Sequence, residues 1–359
     1  MIKICLYSHS VDFAGTWRSH EKIMQNLDRT IFDPYIMYWD NPNANNRLKV
    51  VMEKFGKDRL IPFQRSIDKS GPDTGYTPVL TNFKEIALAN KFDIIHFARS
   101  GYYEWPFTDR LAKLQVETNI FGFKDTSQYL DKSISIAPVV YESRGGADVL
   151  IPNPISIPSD ISKDTTYRQK LNIPVDAIVL GRVGRADNFD PIALQAFKLL
   201  QQESQFSNVY YLIVSPCSHT TSFVKTNNIN NVIFIEATNN DKALDLFHRN
   251  LDIFCHYRSD GEVHSIALST AMSYALPCIT HRAGYNGQVD TVGVNGFVCT
   301  DYNEYYNRLK ELVLNKQKRL TLGENSRQYI IDNFEETMIV KRIQDKYLEW
   351  LKFKPDNHF

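Results

Sequence analysis

Short apolar runs alternate with stretches of helical periodicity along most of this chain, the pattern of repeated βα units around mainly parallel sheets. In the first half the predicted strands are 2–7 (IKICLY), 35–39 (YIMYW), 93–97 (DIIHF), 114–118 (LQVET) and 134–139 (ISIAPV). A second series follows at 178–183 (IVLGRV), 209–214 (VYYLIV), 232–235 (VIFI), 252–256 (DIFCH) and 277–280 (PCIT), with helical patterns at 191–204 and 241–250 between them. Two series read as two separate sheets.

Between them lies IPNPISIPSD, residues 151–160, whose three prolines suit neither a helix interior nor a central strand and fit a semi-rigid hinge. From about Asn315 to Lys352 apolar residues recur at helical spacing, among them Tyr329, Ile330, Phe334, Ile339, Ile343, Tyr347 and Trp350, so a pair of terminal helices is expected. Residues 41 to 82 are irregular, with prolines at 42, 62, 72 and 78, and carry seven Lys/Arg against three Asp/Glu from Arg47 to Lys69. They read either as a solvated loop with one short helix or as an acceptor-facing or membrane-grazing surface.

At 359 residues and 43% hydrophobic content the chain is long enough for two α/β domains, each burying its own core. Forty-one basic residues balance forty-one acidic ones, so no global field draws in nucleic acid or an anionic bilayer. No apolar run approaches the length of about 18 residues that a membrane span needs. The opening MIKICLYSHS is too short in its apolar core for a signal peptide. Cysteines at 5, 217, 255, 278 and 299 are odd in number and scattered, which fits buried thiols in a reducing cytosol and offers no metal spacing. There is also no Asp-x-Asp pair for a Mg²⁺-bound diphosphate. No metal or cofactor is expected.

The densest chemical signal is DGEVHSIALSTAMSYALPCIT, residues 260–280, where a strand ending near His256 passes through a glycine loop into a helix. A helix start at the carboxyl end of a parallel strand presents free N–H groups, here near Val263, His264, Ser265 and Ile266, together with about half a positive charge from the macrodipole. Ser265 is placed to cap that helix.

This segment resembles the nucleotide-sugar motif of the group-1 (family 4-like) retaining glycosyltransferases. Glu262, Ala271, Met272, Ser273, Pro277 and Ile279 fall on or close to the motif's places, and HRAGYNGQVDTVGVNGFV resembles the family's Gly-Gly loop and Gly-x-Asn-Gly-Phe turn through Gly284, Gly287, Gly293, Asn295, Gly296 and Phe297. GRVGRADNFDPIALQAFKLL, residues 181–200, resembles its Gly-Arg strand and phosphate loop. In the first half LYSHSVDFAGTWRSHEKI and FDIIHFARSG resemble the opening loop and the His-bearing strand end.

The resemblance implies a GT-B fold of two Rossmann-like domains facing each other across a cleft. Residues 1–155 would form the acceptor side, 156–333 the nucleotide-sugar side, and 334–359 a terminal helix crossing back. It implies a metal-independent transfer from a nucleoside-diphosphate sugar to a glycan, lipid-linked or protein-linked hydroxyl, with Glu262 and His96 orienting the sugar. Arg185, Arg182 and the amides of 263–266 would meet the diphosphate charge, and Gly15 would admit the donor to the first loop. Arg99 and Tyr102 would shape the acceptor pocket. Two positions depart from the family: Thr270 stands where a Glu holds the donor ribose, and Asp187 stands where a Lys binds the diphosphate.

Each of these residues also has a plainer role open to it. Arg182 suits a structural ion pair, His96 a satisfied core histidine, His264 a solvated loop residue and Gly15 an ordinary turn. Two rival functions share the architecture: a degenerate protein binding a sugar nucleotide or glycan without turnover, and a sugar-nucleotide epimerase, which would need further acid/base carboxylates.

Overall fold

The computed structural model describes residues 1–8, 11, 15–41, 43, 45–67, 79–99, 109–120, 127–143, 147–184, 189–238 and 240–353, with backbone alone at 65–67, 79–81, 99 and 142–143. The chain divides into two compact units, Met1–Pro154 with Glu336–Phe359, and Ile155–Glu335.

The strands of the first unit are β1 (Ile2–Ser8), β2 (Phe32–Trp39), β3 (Leu60–Phe63), β4 (Arg65–Ile67), β5 (Val79–Thr81), β6 (Ile94–Arg99), β7 (Leu114–Asn119), β8 (Lys132–Ser135) and β9 (Val149–Leu150). Its helices up to residue 154 are α1 (Gly15–Asn26), α2 (Leu48–Phe55), α3 (Phe83–Asn90) and α4 (Pro138–Ser143). Seven strands form a parallel sheet in the order β3-β2-β1-β6-β7-β8-β9, and β4 and β5 pair antiparallel on their own. Successive residues of β1 feed opposite faces: Ile4 and Leu6 join a core with Trp17 and Ile23 of α1, while Cys5 and Tyr7 join one with Phe63, Phe83 and Phe97. Burial on both faces is why the strand reads as a continuous apolar run.

The sequence reading ran the strand at 134–139 too far. It ends at Ser135, and Pro138 opens α4, a position where proline loses no helical hydrogen bond. Residues 41–82 are also more regular than expected. Pro62 sits in β3, the edge strand, where a missing N–H costs no ladder bond. The basic stretch spends much of its charge internally: buried Arg47 and exposed Lys54 both pair with Glu21, at 3.3 and 3.0 Å, and Arg59 pairs with Asp33.

The second unit holds β10 (Ile178–Val183), β11 (Val209–Val214), β12 (Val232–Ile235), β13 (Ile253–Cys255), β14 (Cys278–His281) and β15 (Phe297–Cys299), all parallel, in the order β12-β11-β10-β13-β14-β15. Around them lie α5 (Thr165–Lys170), α6 (Ile192–Gln201), α7 (Ser218–Thr226), α8 (Asp241–Arg249), α9 (Ile266–Ser273), α10 (Gly287–Val292), α11 (Tyr302–Leu314) and α12 (Lys316–Phe334). Alternation recurs here, with Leu180, Ile213 and Ile253 in one core and Val179, Leu212 and Phe254 in the other. The unit closes on itself where Ile155 donates its N–H to the Phe334 carbonyl at 2.8 Å and bridges Glu335. The last helix, α13 (Glu336–Lys352), then packs on α1 in the first unit, burying Ile339, Val340, Ile343, Tyr347 and Trp350. Among the described residues no helix is long and apolar enough to cross a membrane.

Candidate active site

In an open parallel sheet ligands bind outside the carboxyl ends of the strands, where the strand order reverses. In the second unit that point lies between β10 and β13: the chain lays down β11 and β12 on one side of β10 and returns to build β13 on the other.

At the end of β10, Arg182 is 3% exposed and sets its guanidinium 4.4 Å over the ring of Tyr257, just beyond β13. A side chain at Gly184 would put its Cβ 3.0 Å from the Arg182 Nη2, so a glycine there leaves the guanidinium room to lie along the loop. Arg182 is therefore a packed cation at the sheet edge, held by an aromatic face. Arg185 and Asp187 lie outside the described residues.

From β13 the chain runs through His256 and Tyr257 into the loop that carries Glu262. His256 Nε2 is 2.9 Å from Glu262 Oε1, and its Nδ1 is 2.8 Å from the hydroxyl of Thr280 on β14. The loop backbone is pinned from the opposite side, where Gln288 accepts the Glu262 N–H at 2.8 Å and the Glu262 carbonyl accepts the Gly287 N–H at 2.7 Å. Arg258 N–H donates to Nε2 of His281 at 3.2 Å. Burial by itself would raise the Glu262 carboxyl, but the His256 hydrogen bond and charge, with Arg258 and Ser265, outweigh it and hold the group below the ordinary carboxylate range. Glu262 is thus an ionised acceptor at the site.

Glycines make the two loops fit. A Cβ on Gly284 would lie 1.6 Å from the Asp260 carbonyl oxygen, and one on Gly287 would lie 1.7 Å from that of Val263. Backbone meets backbone here, so no side chain fits between.

Helix α9 starts beside Glu262. Ser265 caps it, accepting the Leu268 N–H at 3.3 Å, and its first turn directs the amides near Ser265 and Ile266 toward the same loop. Val263 is buried, while Ile266 and Thr270 are half-buried along the helix. His264 stacks on Phe334 at 5.6 Å, and burial pushes its imidazole down to about 4, against the pull of Glu262, so it is neutral at neutral pH.

In the first unit the corresponding reversal lies between β1 and β6. Gly15 is the first residue of α1 and Arg99 the last of β6, while Tyr102 lies outside the described residues. The placement of His96 at a strand end is corrected. β6 runs on to Arg99, and His96 sits within it between Leu6 and Val116, fully buried. Its ring nitrogens meet the Tyr347 hydroxyl at 2.5 Å and that of Thr118 at 2.7 Å, which satisfies both. The apolar run DIIHF hides this, because the strand continues through Ala98 to the charged Arg99. His256, His281 and Gln288 escaped sequence reasoning. The rule that singled out His96, a histidine at the carboxyl end of a parallel strand, applies better to His256.

Residues 163–329 match the family model for glycosyl transferases group 1. Among solved structures the chain resembles a glycosyltransferase from Rickettsia africae ESF-5 (TM-score 0.75, 14% identity, covering 98% of this chain and 99% of that one). It also resembles Anabaena HepE in complex with UDP and glucose (0.71, 17%, 97% and 100%) and WaaG, a glycosyltransferase involved in lipopolysaccharide biosynthesis (0.66, 15%, 96% and 99%). No curated protein matches the sequence. The fold is the GT-B fold of glycosyltransferases. The residues matched by that family model, 163–329, contain Arg182, His256, Glu262 and α9.

Proposed function

We propose that the chain is a retaining, metal-independent glycosyltransferase that moves a sugar from a nucleoside-diphosphate sugar to a hydroxyl of a glycan, a lipid or a protein-linked acceptor. The observation that carries this reading is Glu262, an ionised carboxylate fixed beside a helix start at the switch point of the group 1 domain. Its oxygens accept sugar hydroxyls, while the amides of the first turn of α9 and the cations at 182 and 185 offset the charge that grows on the departing diphosphate. In the transfer the bond from the anomeric carbon to the diphosphate oxygen breaks and one to the acceptor oxygen forms. The acceptor proton passes to the departing diphosphate oxygen. Retention follows from attack on the face the diphosphate leaves.

The test is release of nucleoside diphosphate from a panel of sugar nucleotides, starting with UDP-glucose because HepE was crystallised with it, with and without EDTA. Turnover unchanged by EDTA and abolished in Glu262→Ala supports the proposal. A Glu262→Ala variant with undiminished turnover sinks it. Thr270, in place of the ribose-holding Glu of the family motif, favours one other reading: a protein that binds a sugar nucleotide without turnover. Saturable binding of the same nucleotides with no release of diphosphate in any mixture would establish that second reading.

A further inference from the structure

The imidazole of His256 bridges two strand ends. Its backbone N–H donates to the Ile279 carbonyl at 2.8 Å, locking the residue to β14, and its ring spans from Thr280 to Glu262. His256 is 2% exposed and Thr280 fully buried, whereas the Glu262 side chain is 19% exposed, so the chain of three polar groups runs from the interior out to an accessible carboxylate.

Hydrogen-bond stoichiometry fixes its polarity at the carboxylate end. An ionised carboxylate only accepts, so Nε2 of His256 carries the proton facing Oε1 of Glu262. Nδ1 then pairs with the Thr280 hydroxyl, which can donate to a bare nitrogen or accept from a protonated one. The bonds that the Glu262 backbone donates to Gln288 and accepts from Gly287 fix where Glu262 stands but leave its side-chain torsions open. The His256 contact, together with a hydrogen bond from Ser265, closes them.

We propose that His256 is the positioning residue for Glu262, its Nε2–H holding the carboxylate in one rotamer so that it accepts a hydroxyl of the transferred sugar, with Thr280 fixing the ring's orientation. This rests on the role of Glu262 proposed above. His256 touches neither sugar nor diphosphate in this arrangement. Its removal acts on turnover through Glu262 and leaves nucleotide affinity alone.

The experiment measures sugar-nucleotide turnover and, separately, nucleoside diphosphate binding by calorimetry, for the wild type, Glu262→Gln, His256→Leu, His256→Gln, His256→Asn and the double variant Glu262→Gln/His256→Leu. A hydrogen bond to a charged group corresponds to a loss of about 10- to 150-fold in kcat/KM for His256→Leu, with diphosphate affinity unchanged within about threefold. A glutamine amide reaches as far as Nε2 and an asparagine amide only as far as Nδ1, so Gln restores turnover to within about fivefold and Asn does not. In the Glu262→Gln background His256→Leu changes kcat/KM by less than about threefold, because the two residues act as one unit. If His256→Leu unfolds, the Gln and Asn variants decide by themselves.

Wild-type turnover in His256→Leu, equal turnover in Gln and Asn, or losses that multiply in the double variant would overturn the proposal while leaving the function intact. Undiminished turnover in Glu262→Gln, or a wild type that neither binds nor consumes any sugar nucleotide, overturns the reading beneath it as well.

Discussion

The Tyr347 hydroxyl and Nδ1 of His96 lie 2.5 Å apart in the interior of the first unit, joining the last helix of the chain to a strand near its beginning. A second histidine, His20 of α1, packs its ring 5.4 Å from that of His96. Burial pushes His20 down to about 4 and holds His96 well below the ordinary histidine range. Both are neutral in the folded protein at neutral pH, because burial penalises the charged form.

This predicts acid sensitivity. The unfolded chain takes up protons on both histidines as pH falls through about 6.5, whereas native His20 refuses one until near 4 and native His96 holds well below the ordinary range, so folding loses up to about 1.4 kcal/mol per histidine for each pH unit below 6.5. The stability is fully present above about 6.5. Denaturant unfolding of the wild type at pH 7.5, 6.5 and 5.5 is expected to show little change over the first step and a marked loss over the second. Equal stability at 6.5 and 5.5 would mean that these imidazoles are not excluded from protonation.

Tyr347→Phe isolates the buried contact. It keeps the ring that fills the core beside Phe32 and removes only the hydroxyl, leaving one His96 nitrogen buried without its partner. The expected cost is about 1–3 kcal/mol in the midpoint of urea unfolding, with no change in sugar-nucleotide turnover. Loss of turnover without loss of stability would instead return His96 to the list of donor-facing residues.

These contacts mark where the sequence stops being legible. The βα alternation exposed most of the parallel strands, since strands buried on both faces are apolar at nearly every position, as Ile4 to Tyr7 and Tyr211 to Val214 show. The helix cap at Ser265 and the glycine turns were readable because caps and close backbone approaches demand particular residue types. What the sequence withheld depends on pairing across long separations. His96 and Tyr347 stand 251 residues apart, and His256 finds Thr280 on a neighbouring strand whose register no local pattern reveals. Short β15, inside a glycine turn, and edge strand β3, with its Pro62, also lacked a local signature.

The glycines offer a contrast within one segment. Gly287→Ala would drive a Cβ to 1.7 Å from the Val263 carbonyl and 2.6 Å from that of Glu262, forcing apart the loops that hold the carboxylate. Gly293 has instead a positive φ, +53°, and its Cβ would meet nothing within 4 Å. Gly293→Ala is therefore expected to cost only the conformational strain, about 1–3 kcal/mol, and to keep turnover. Gly287→Ala should lose turnover outright. If the two variants lose activity equally, the close approach is not what the glycine at 287 serves.

Thr270 carries the last prediction. It lies one turn into α9, half-buried, on the helix whose start adjoins Glu262. A hydroxyl there accepts one hydrogen bond from a ribose where a carboxylate accepts two, and a charged acceptor contributes about 1.5–3 kcal/mol against roughly 1 for a neutral one. Thr270→Glu is therefore expected to tighten nucleoside diphosphate binding by about tenfold, measured by calorimetry at fixed ionic strength. The gain should vanish for the 2′,3′-dideoxy nucleotide, which has no ribose hydroxyls to offer, since a general electrostatic effect of the new charge would weaken both nucleotides alike. Tightening that survives removal of the diol, or no tightening at all, would mean that the ribose of the bound nucleotide lies away from α9 and that position 270 reads another part of the donor.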